Sequence, residues 1–507
     1  MTARFFNGIS RLLFRGEHNR FMKPCDIGRV QSDYLMSVIR ENADTVYGKK
    51  FGFSEIKSYA DFAERAPLTF YEDYEPYIAA ISDGEKHVLT AEDVTLLEPT
   101  SGSSGGRKLI PYTKSLQREF QRGIRPWLYD IYTNVEGVCN GKSYWSITPV
   151  TSGKEYTKCG IPIGFEEDAA YFGRLEQAVM HRLFAVDNSV KFAGSIEEFY
   201  FQTARRLLEC ESLTLISVWN PTFLTILCDF IRDHSQSLME KLPQKRAGQM
   251  LDAVSENRFD KVFPALRIIS CWADGSAADD IGGIAERFPG VYVQPKGLLA
   301  TECVTSFPLI GEEGSRLSVY SHFFEFRRSS DGAILTAEQL SKGEYELIVT
   351  TGGGFYRYQI GDIIEVLETY PDRPPRIRFL RRSGVTSDLC GEKLTESFVR
   401  GVCASLGIAE SFCLLAPEGK RYCLYTTARD ITDEMLDKAL CESYHYNYCR
   451  QLGQLQTAKV CRVGGNPERR YLERLAADGM RLGDIKPAYL SKKSWADIFD
   501  LEGTDKC

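Results

Sequence analysis

A chain of 507 residues, 43% hydrophobic and 26% charged, is too long for one ordinary core and too apolar to be disordered, so two or three globular domains are expected. Lys and Arg number 62 against 69 Asp and Glu, a net charge of -7 without a long basic run, which argues against a nucleic-acid-coating surface and favours small-molecule chemistry. The 15 cysteines are scattered without a C-x-x-C, no secretory signal precedes them, and no stretch approaches the ~18 apolar residues of a membrane span, so a cytoplasmic monomer with reduced thiols and no membrane partner is expected.

In chain order, Met1 to Phe14 reads as an amphipathic helix whose apolar run Arg11 interrupts. Tyr34, Leu35, Val38, Ile39, Ala43 and Val46 recur at helical spacing over 30–47. The strand-like run Val94 to Leu97 then leads into Thr100-Ser-Gly-Ser-Ser-Gly-Gly-Arg-Lys108. Thr100, Ser101, Ser103 and Ser104 supply hydroxyls, Gly102, Gly105 and Gly106 let backbone N–H groups approach an anion, and Arg107 and Lys108 add charge. Leu116, Phe120, Ile124, Trp127, Leu128 and Ile131 follow as a helical stripe with Pro126 inside it, so the order expected is strand, phosphate-cradling loop, helix, with the helix N-terminus facing the loop. A Walker loop is excluded because Lys108 precedes Leu109 rather than Ser or Thr. Gly102 to Gly106 also matches the nucleophile elbow G-x-S-x-G, with Ser104 as the would-be nucleophile, but an elbow passes straight into helix and Pro111 intervenes here.

Ser143 to Thr148 is a short strand, and Thr151 to Phe165 a loop of lid or pocket character. A second strand, Leu213 to Val218, precedes Asn220 as helix N-cap and Pro221 at the first helical position. A third, Leu266 to Cys271, opens into Trp272-Ala-Asp-Gly-Ser276 and a helix over 277–288, and a fourth runs from Val291 to Gln294. Such alternation predicts a mostly parallel, helix-covered sheet whose ligands sit beyond the strands' carboxyl ends. The Ser/Gly loop, the turn with Ala273 and Asp274, and Lys296-Gly-Leu-Leu-Ala-Thr-Glu302 would all fall there, making Glu302 a candidate metal or substrate ligand. None of the six histidines pairs with Cys or carboxylate at zinc spacing.

From about 316 to 380 the pattern becomes antiparallel β, and inside it Thr350-Thr-Gly-Gly-Gly-Phe-Tyr-Arg-Tyr-Gln-Ile-Gly-Asp362 combines a close-approach signal of three glycines with a carboxylate expected at a turn. Beyond Arg381-Arg-Ser-Gly384, the natural hinge, helices and strands alternate in an α+β unit of about 120 residues. The fold expected is therefore α/β: a large N-terminal domain, 1–382, with parallel helix-covered sheets and a β-rich subdomain, and a small mobile α+β domain, 383–507.

The Ser/Gly loop resembles the phosphate loop of the adenylate-forming superfamily, with Arg107 where most members carry proline. Ala300-Thr-Glu302 resembles the end of that superfamily's second motif, Tyr358-Gln-Ile-Gly-Asp362 its ribose-binding motif, and Phe379-Leu-Arg-Arg382 with Gly391-Glu-Lys393 its hinge. More closely, Leu97 to Pro111, Ile216 to Asn220, Gly297 to Pro308, Ser321-His-Phe-Phe-Glu-Phe326 and Val349 to Asp362 resemble a bacterial-type branch of the auxin-responsive-promoter, or Gretchen Hagen, family of acyl-acid amido synthetases. Leu298-Leu299 stand where superfamily members carry Tyr-Gly, the tyrosine of which stacks on adenine.

The resemblance implies an enzyme that joins a carboxylic acid to ATP as an acyl-adenylate and then passes the acyl group to an amine, typically an amino acid. It implies that Thr100 to Gly105 and Lys108 hold phosphates, that Glu302 binds Mg²⁺, and that Ala273, Asp274, Thr301, Tyr358, Asp362 and Arg382 contact the nucleotide. Gly483-Asp-Ile-Lys-Pro487 looks like the segment that delivers the mobile-domain lysine, here Lys486. The rival readings are an acyl-CoA ligase using the same adenylate, a serine hydrolase pairing Ser104 with His181, His234, His322 or His445, and an inactive nucleotide-binding scaffold suggested by Leu298-Leu299.

Overall fold

Four strands, Lys142–Trp145, Leu213–Ser217, Ile268–Cys271 and Tyr292–Pro295, lie side by side in sequence order and all parallel in the computed structural model. Every residue of the second strand is buried, as expected of a strand covered on both faces. Helices Ile196–Glu209, Pro221–Asp233, Gln244–Ser255 and Ile281–Arg287 contribute Phe199, Leu208, Leu224, Leu227, Val254 and Ile284 to the core around it. Described are residues 3–101, 107–147, 155–164, 174–219, 221–240, 242–274, 281–382, 386–387, 389, 392, 394–451, 455–478, 480, 485, 487–499 and 501. Asn220, the expected helix cap, lies outside them, as do Thr151 to Lys154 and Phe165 of the loop from Thr151 to Phe165.

A second, seven-stranded sheet holds the β-rich region in the order Ile334–Thr336, Phe323–Arg328, Gly343–Thr350, Tyr358–Glu368, Arg376–Arg382, Ser315–Leu317, Ser306–Phe307. The apolar run 317–326 does not form one continuous strand but is broken in two. Between its halves Ser318 N–H donates to Thr305 O and the Ser321 hydroxyl to Val304 O, drawing the backbone away from the sheet. Helix Ile27–Glu41 is fastened beside this sheet by Gln31, whose amide donates to Val319 O and His322 O while its oxygen accepts Phe324 N–H. Helix Ala3–Met22 precedes it, and Lys114–Asn134 runs through Pro126 with Phe120, Leu128 and Ile131 fully buried. Each such side chain contributes about 1.5–3 kcal/mol by leaving water.

The chain divides into two compact units, residues 1–102 with 107–380 and residues 381–507. In the latter, the hairpin Cys413–Glu418 and Arg421–Thr426 pairs in parallel with Lys459–Arg462, and helices Glu396–Ser405, Asp433–Leu440 and Tyr444–Gln451 enclose a core containing Val399, Leu415, Leu424, Leu440 and Tyr446. Among the described residues no helix is long and apolar enough to cross a membrane. Cys461 is disulfide-bonded, so the expectation that every thiol is reduced fails there; scattered spacing does not forbid a single pair. The other described cysteines are free.

Candidate active site

The Ser/Gly loop hangs from a β-hairpin. Leu96–Ser101 pairs antiparallel with Arg107–Tyr112, Thr100 opposite Lys108 and Ser101 opposite Arg107, which closes the loop Gly102 to Gly106 at its base. Those five residues lie outside the described ones. The expected strand-loop-helix order is thus corrected to strand-loop-strand. Leu97, Ile110 and Tyr112 are buried on the hairpin, and pairing across it satisfies backbone that the basic pair and Pro111 made look irregular. The following helix starts at Lys114, with Thr113 capping Leu116 N–H at the hairpin's far end, about 20 Å from the loop at 3.3 Å per residue. Its dipole therefore does not serve the loop. The same return strand stands where a nucleophile elbow would require a helix.

Lys108 Nζ lies 5.1 Å from the centre of the Tyr71 ring, and the Tyr71 hydroxyl accepts Leu109 N–H at 2.6 Å. Burial first, and the charge of Glu302 among others, push the Tyr71 hydroxyl above its ordinary range. Tyr112 joins the hairpin to the second motif directly, its hydroxyl donating to Thr301 O at 2.6 Å.

Glu302 sits on a two-residue turn. Ala300 and Cys303 exchange both backbone hydrogen bonds, leaving Thr301 and Glu302 at the tip, yet Glu302 is only 6% exposed. The Tyr358 hydroxyl reaches its Oε1 at 3.4 Å. Tyr358 opens the strand that carries Asp362, so two motifs 56 residues apart converge on one carboxylate. Asp362 does not occupy a turn between strands, as its Gly-Asp pair suggested. The register against the neighbouring strand jumps from Glu346 opposite Ile363 to Ile348 opposite Gln359, so Ile360, Gly361 and Asp362 form a bulge, with Gly361 at φ +81°. Asp362 is buried there. The buried thiol of Cys303 registers the cluster: burial raises it most, and Glu302, Asp362 and Glu119 each raise it further.

The three glycines are close-approach positions. A Cβ on Gly352 would meet Glu119 Oε1 at 2.3 Å, one on Gly353 Pro111 O at 2.9 Å, and one on Gly354, at φ +98°, Leu89 Cβ at 2.6 Å. Beyond them Phe355 stacks on Tyr358 with centroids 4.8 Å apart, and Arg357, at φ +48°, is held by Glu325 through Nε and Nη2.

Trp272, Ala273 and Asp274 follow the third parallel strand, with Trp272 N–H bonded to Trp219 O and its ring 5.2 Å from Phe379, so this turn lies beside the strand Arg376–Arg382. Of Arg382 only the backbone is described, and Lys486 lies outside the described residues. Leu298, in place of the stacking tyrosine, is buried in the core rather than offered to a ring.

Lys296 is a residue the sequence reading passed over. It is 5% exposed, donates to Ser217 Oγ at 2.7 Å, and lies 4.8, 5.7 and 5.0 Å from the ring centres of Trp127, Trp145 and Trp219. A lysine directly after a parallel strand was the available signal; the indoles come from three separate elements and no spacing links them.

Among the described residues no group of three or more His, Cys, Asp and Glu forms a metal cluster. A single buried carboxylate on a turn, with hydroxyl neighbours, is instead a donor set suited to Mg²⁺, a hard cation that commonly binds through one or two carboxylates and substrate phosphates. Parallel strand ends, the hairpin that carries the glycine-rich motif, and the paired acidic positions Glu302 and Asp362 mark an α/β protein of ligand-binding type.

The GH3 family N-terminal domain matches residues 21–258 and the GH3 family central domain residues 316–382, together more than half of the chain. The chain belongs to the GH3 family of acyl acid amido synthetases. It is 22% identical over 461 residues to indole-3-acetic acid-amido synthetase GH3.4 of Arabidopsis thaliana, covering 79% of this chain and 74% of that protein. With jasmonoyl-L-amino acid synthetase JAR4 of Nicotiana attenuata it is 23% identical over 434 residues, 73% of this chain and 72% of that one. Its fold is similar to that of AtGH3.15 acyl acid amido synthetase in complex with 2,4-DB, with a TM-score of 0.79 and 16% identity over 95% of this chain and 94% of that chain.

Proposed function

We propose that the protein activates a carboxylic acid with ATP and transfers the acyl group to an amine, an amino acid in particular. The observation that carries this reading is the meeting of Tyr358 with Glu302, with Asp362 in the bulge four residues further along the same strand. In the first step an acid oxygen attacks the α-phosphorus, the bond to the β-phosphate oxygen breaks, and pyrophosphate leaves with the electron pair. In the second an amine nitrogen attacks the acyl carbon, the bond to AMP breaks, and the nitrogen sheds a proton.

Two anions meet in the first step, so cations and N–H dipoles must face the developing charge. Thr100, Ser101, Gly102, Ser103, Ser104, Gly105 and Lys108 hold the β- and γ-phosphates. Glu302 would hold Mg²⁺, which would supply charge neutralisation for the phosphates. Asp362 accepts from the ribose hydroxyls, Ala273, Asp274, Thr301 and Tyr358 line the nucleotide, and Arg382 and Lys486 complete the site from the hinge and the small domain. The domains are 1–382 and 383–507. Identities of 22–25% to the plant relatives fit a separate, bacterial-type branch, and the setting is a cytoplasmic monomer acting on small molecules.

The test is ATP-pyrophosphate exchange across a library of acids, followed by addition of amino acids or coenzyme A to whichever acid supports exchange. Acid-dependent exchange is expected, with amide rather than thioester as product, and Glu302→Gln or Asp362→Asn lowering the rate about 10²-fold or more. No exchange with any acid, together with fluorophosphonate labelling of Ser104, would overturn it.

A further inference from the structure

Behind the site, one buried carboxylate is tied to both of its acidic loops. Glu119, on helix Lys114–Asn134, is 3% exposed and accepts Gly352 N–H with both oxygens, at 3.1 and 3.0 Å, and the Tyr34 hydroxyl at 2.7 Å. Its Oε2 lies 3.0 Å from Nδ1 of the fully buried His322. On the other side of that ring Nε2 accepts Val304 N–H at 3.0 Å, so the neutral imidazole carries its proton on Nδ1, toward Glu119. Val304 stands two residues after Glu302, and Gly352 begins the glycine loop that ends at Tyr358. Thr113, at the head of the same helix, adds a bond from its hydroxyl to Gly352 O.

We propose that Glu119 is a positioning residue that sets the Glu302 turn and the Tyr358–Asp362 strand against each other, the former through His322 and the latter through Gly352. This rests on the reading of those loops as the Mg²⁺-nucleotide site. A carboxylate suits this node because Tyr34 O–H and Gly352 N–H donate to it, and Nδ1 of His322, otherwise without a hydrogen-bond partner, lies 3.0 Å from its Oε2. A glutamine offers one oxygen and a donor in place of the other: turned toward His322 the amide N–H meets a donor, and turned toward Tyr34 it forces that hydroxyl to accept, so in either orientation Glu119→Gln costs the node one acceptor and its negative charge. Tyr34 touches the Glu119–Gly352 side of the node; burial and the neighbouring Glu119 hold its hydroxyl protonated, so that it donates to the carboxylate.

The experiment compares Glu119→Gln, His322→Leu and Tyr34→Phe by acid-dependent pyrophosphate exchange, titrating MgATP, free Mg²⁺ and acid separately and recording melting temperature. Glu119→Gln is expected to raise the Mg²⁺ needed for half-activity and the KM for MgATP by roughly 10–100-fold, the range for residues that orient metal ligands, leaving the KM for acid unchanged. His322→Leu should raise the Mg²⁺ requirement alone, and provides the reading should Glu119→Gln not fold. Tyr34→Phe should lower melting temperature and leave every KM in place. If the first two variants only melt earlier, or weaken acid and MgATP equally, the inference is wrong. Absence of exchange in the wild-type chain would instead defeat the underlying functional reading.

Discussion

Glu302 and Asp362 are lone carboxylates on irregular segments, a pattern that in most chains means a solvated side chain. What separated them from that reading was their order with the Ser/Gly loop, and what the sequence could not reveal was their burial, 6% and 3% exposed, which depends on partners from distant segments. Lys296 stayed hidden for the same reason. In the C-terminal unit, Asp437 shows how such a group is kept ionised. Burial would raise its pKa, but Arg450 through Nε at 2.9 Å and Nη2 at 2.9 Å, Ala458 N–H and the Tyr446 hydroxyl together hold it below the ordinary carboxylate range. A depressed folded-state pKa means the unfolded chain binds the proton more readily, so this stabilisation is fully present above about pH 4 and drains away as pH falls through the lower folded value. Asp437→Asn should lower stability at pH 7 by about 3 kcal/mol and flatten its decline below pH 4, followed by urea unfolding. An unchanged slope would mean other carboxylates govern that limb.

At the scale of elements, helices and parallel strands were legible because each carries its own period: the stripe Leu116, Phe120, Ile124, Leu128, Ile131 became helix Lys114–Asn134, and the fully buried strands Leu213–Ser217 and Ile268–Cys271 appeared within two residues of their expected ends, whereas the first strand stops at Trp145, three short of Thr148. The hairpin and the bulge were not legible. Both are decided by pairing with another segment, and Arg107, Lys108 and Pro111 individually argue against a strand. The bulge makes a sharp prediction. Gly361 occupies left-handed backbone, where alanine costs about 1–2 kcal/mol, and relaxing that strain would re-aim Asp362. Gly361→Ala should therefore raise the KM for MgATP as well as lower stability. Gly407→Ala, at φ +72° with open space where its Cβ would stand, should lower stability by a similar amount and leave KM alone.

For the whole molecule, the two-unit division falls at Leu380–Arg381, close to the hinge read from Arg381-Arg-Ser-Gly384. Adenylation wants a site closed around triphosphate, whereas amide formation needs room for a second substrate, and a small domain reorienting about a few residues serves both. Ser383→Pro should leave pyrophosphate exchange near wild type and slow amide formation; equal loss of both would count against reorientation. The acid's identity was not legible, since pocket walls depend on how loops such as Thr151 to Phe165 are shaped by everything around them.

The lysine among the tryptophans also has an optical consequence. Of the five tryptophans, Trp127, Trp145 and Trp219 share one ammonium neighbour and Trp272 lies in the same unit, leaving Trp495, stacked between Tyr471 and Phe499, as the lone indole of residues 381–507. The smaller unit therefore carries a single intrinsic fluorophore of its class, and the larger one a cluster of three around one amine. Replacing Trp495 by Phe would leave the tryptophan emission to residues 1–380 alone, so the difference between the two proteins reports on residues 381–507 without any attached dye.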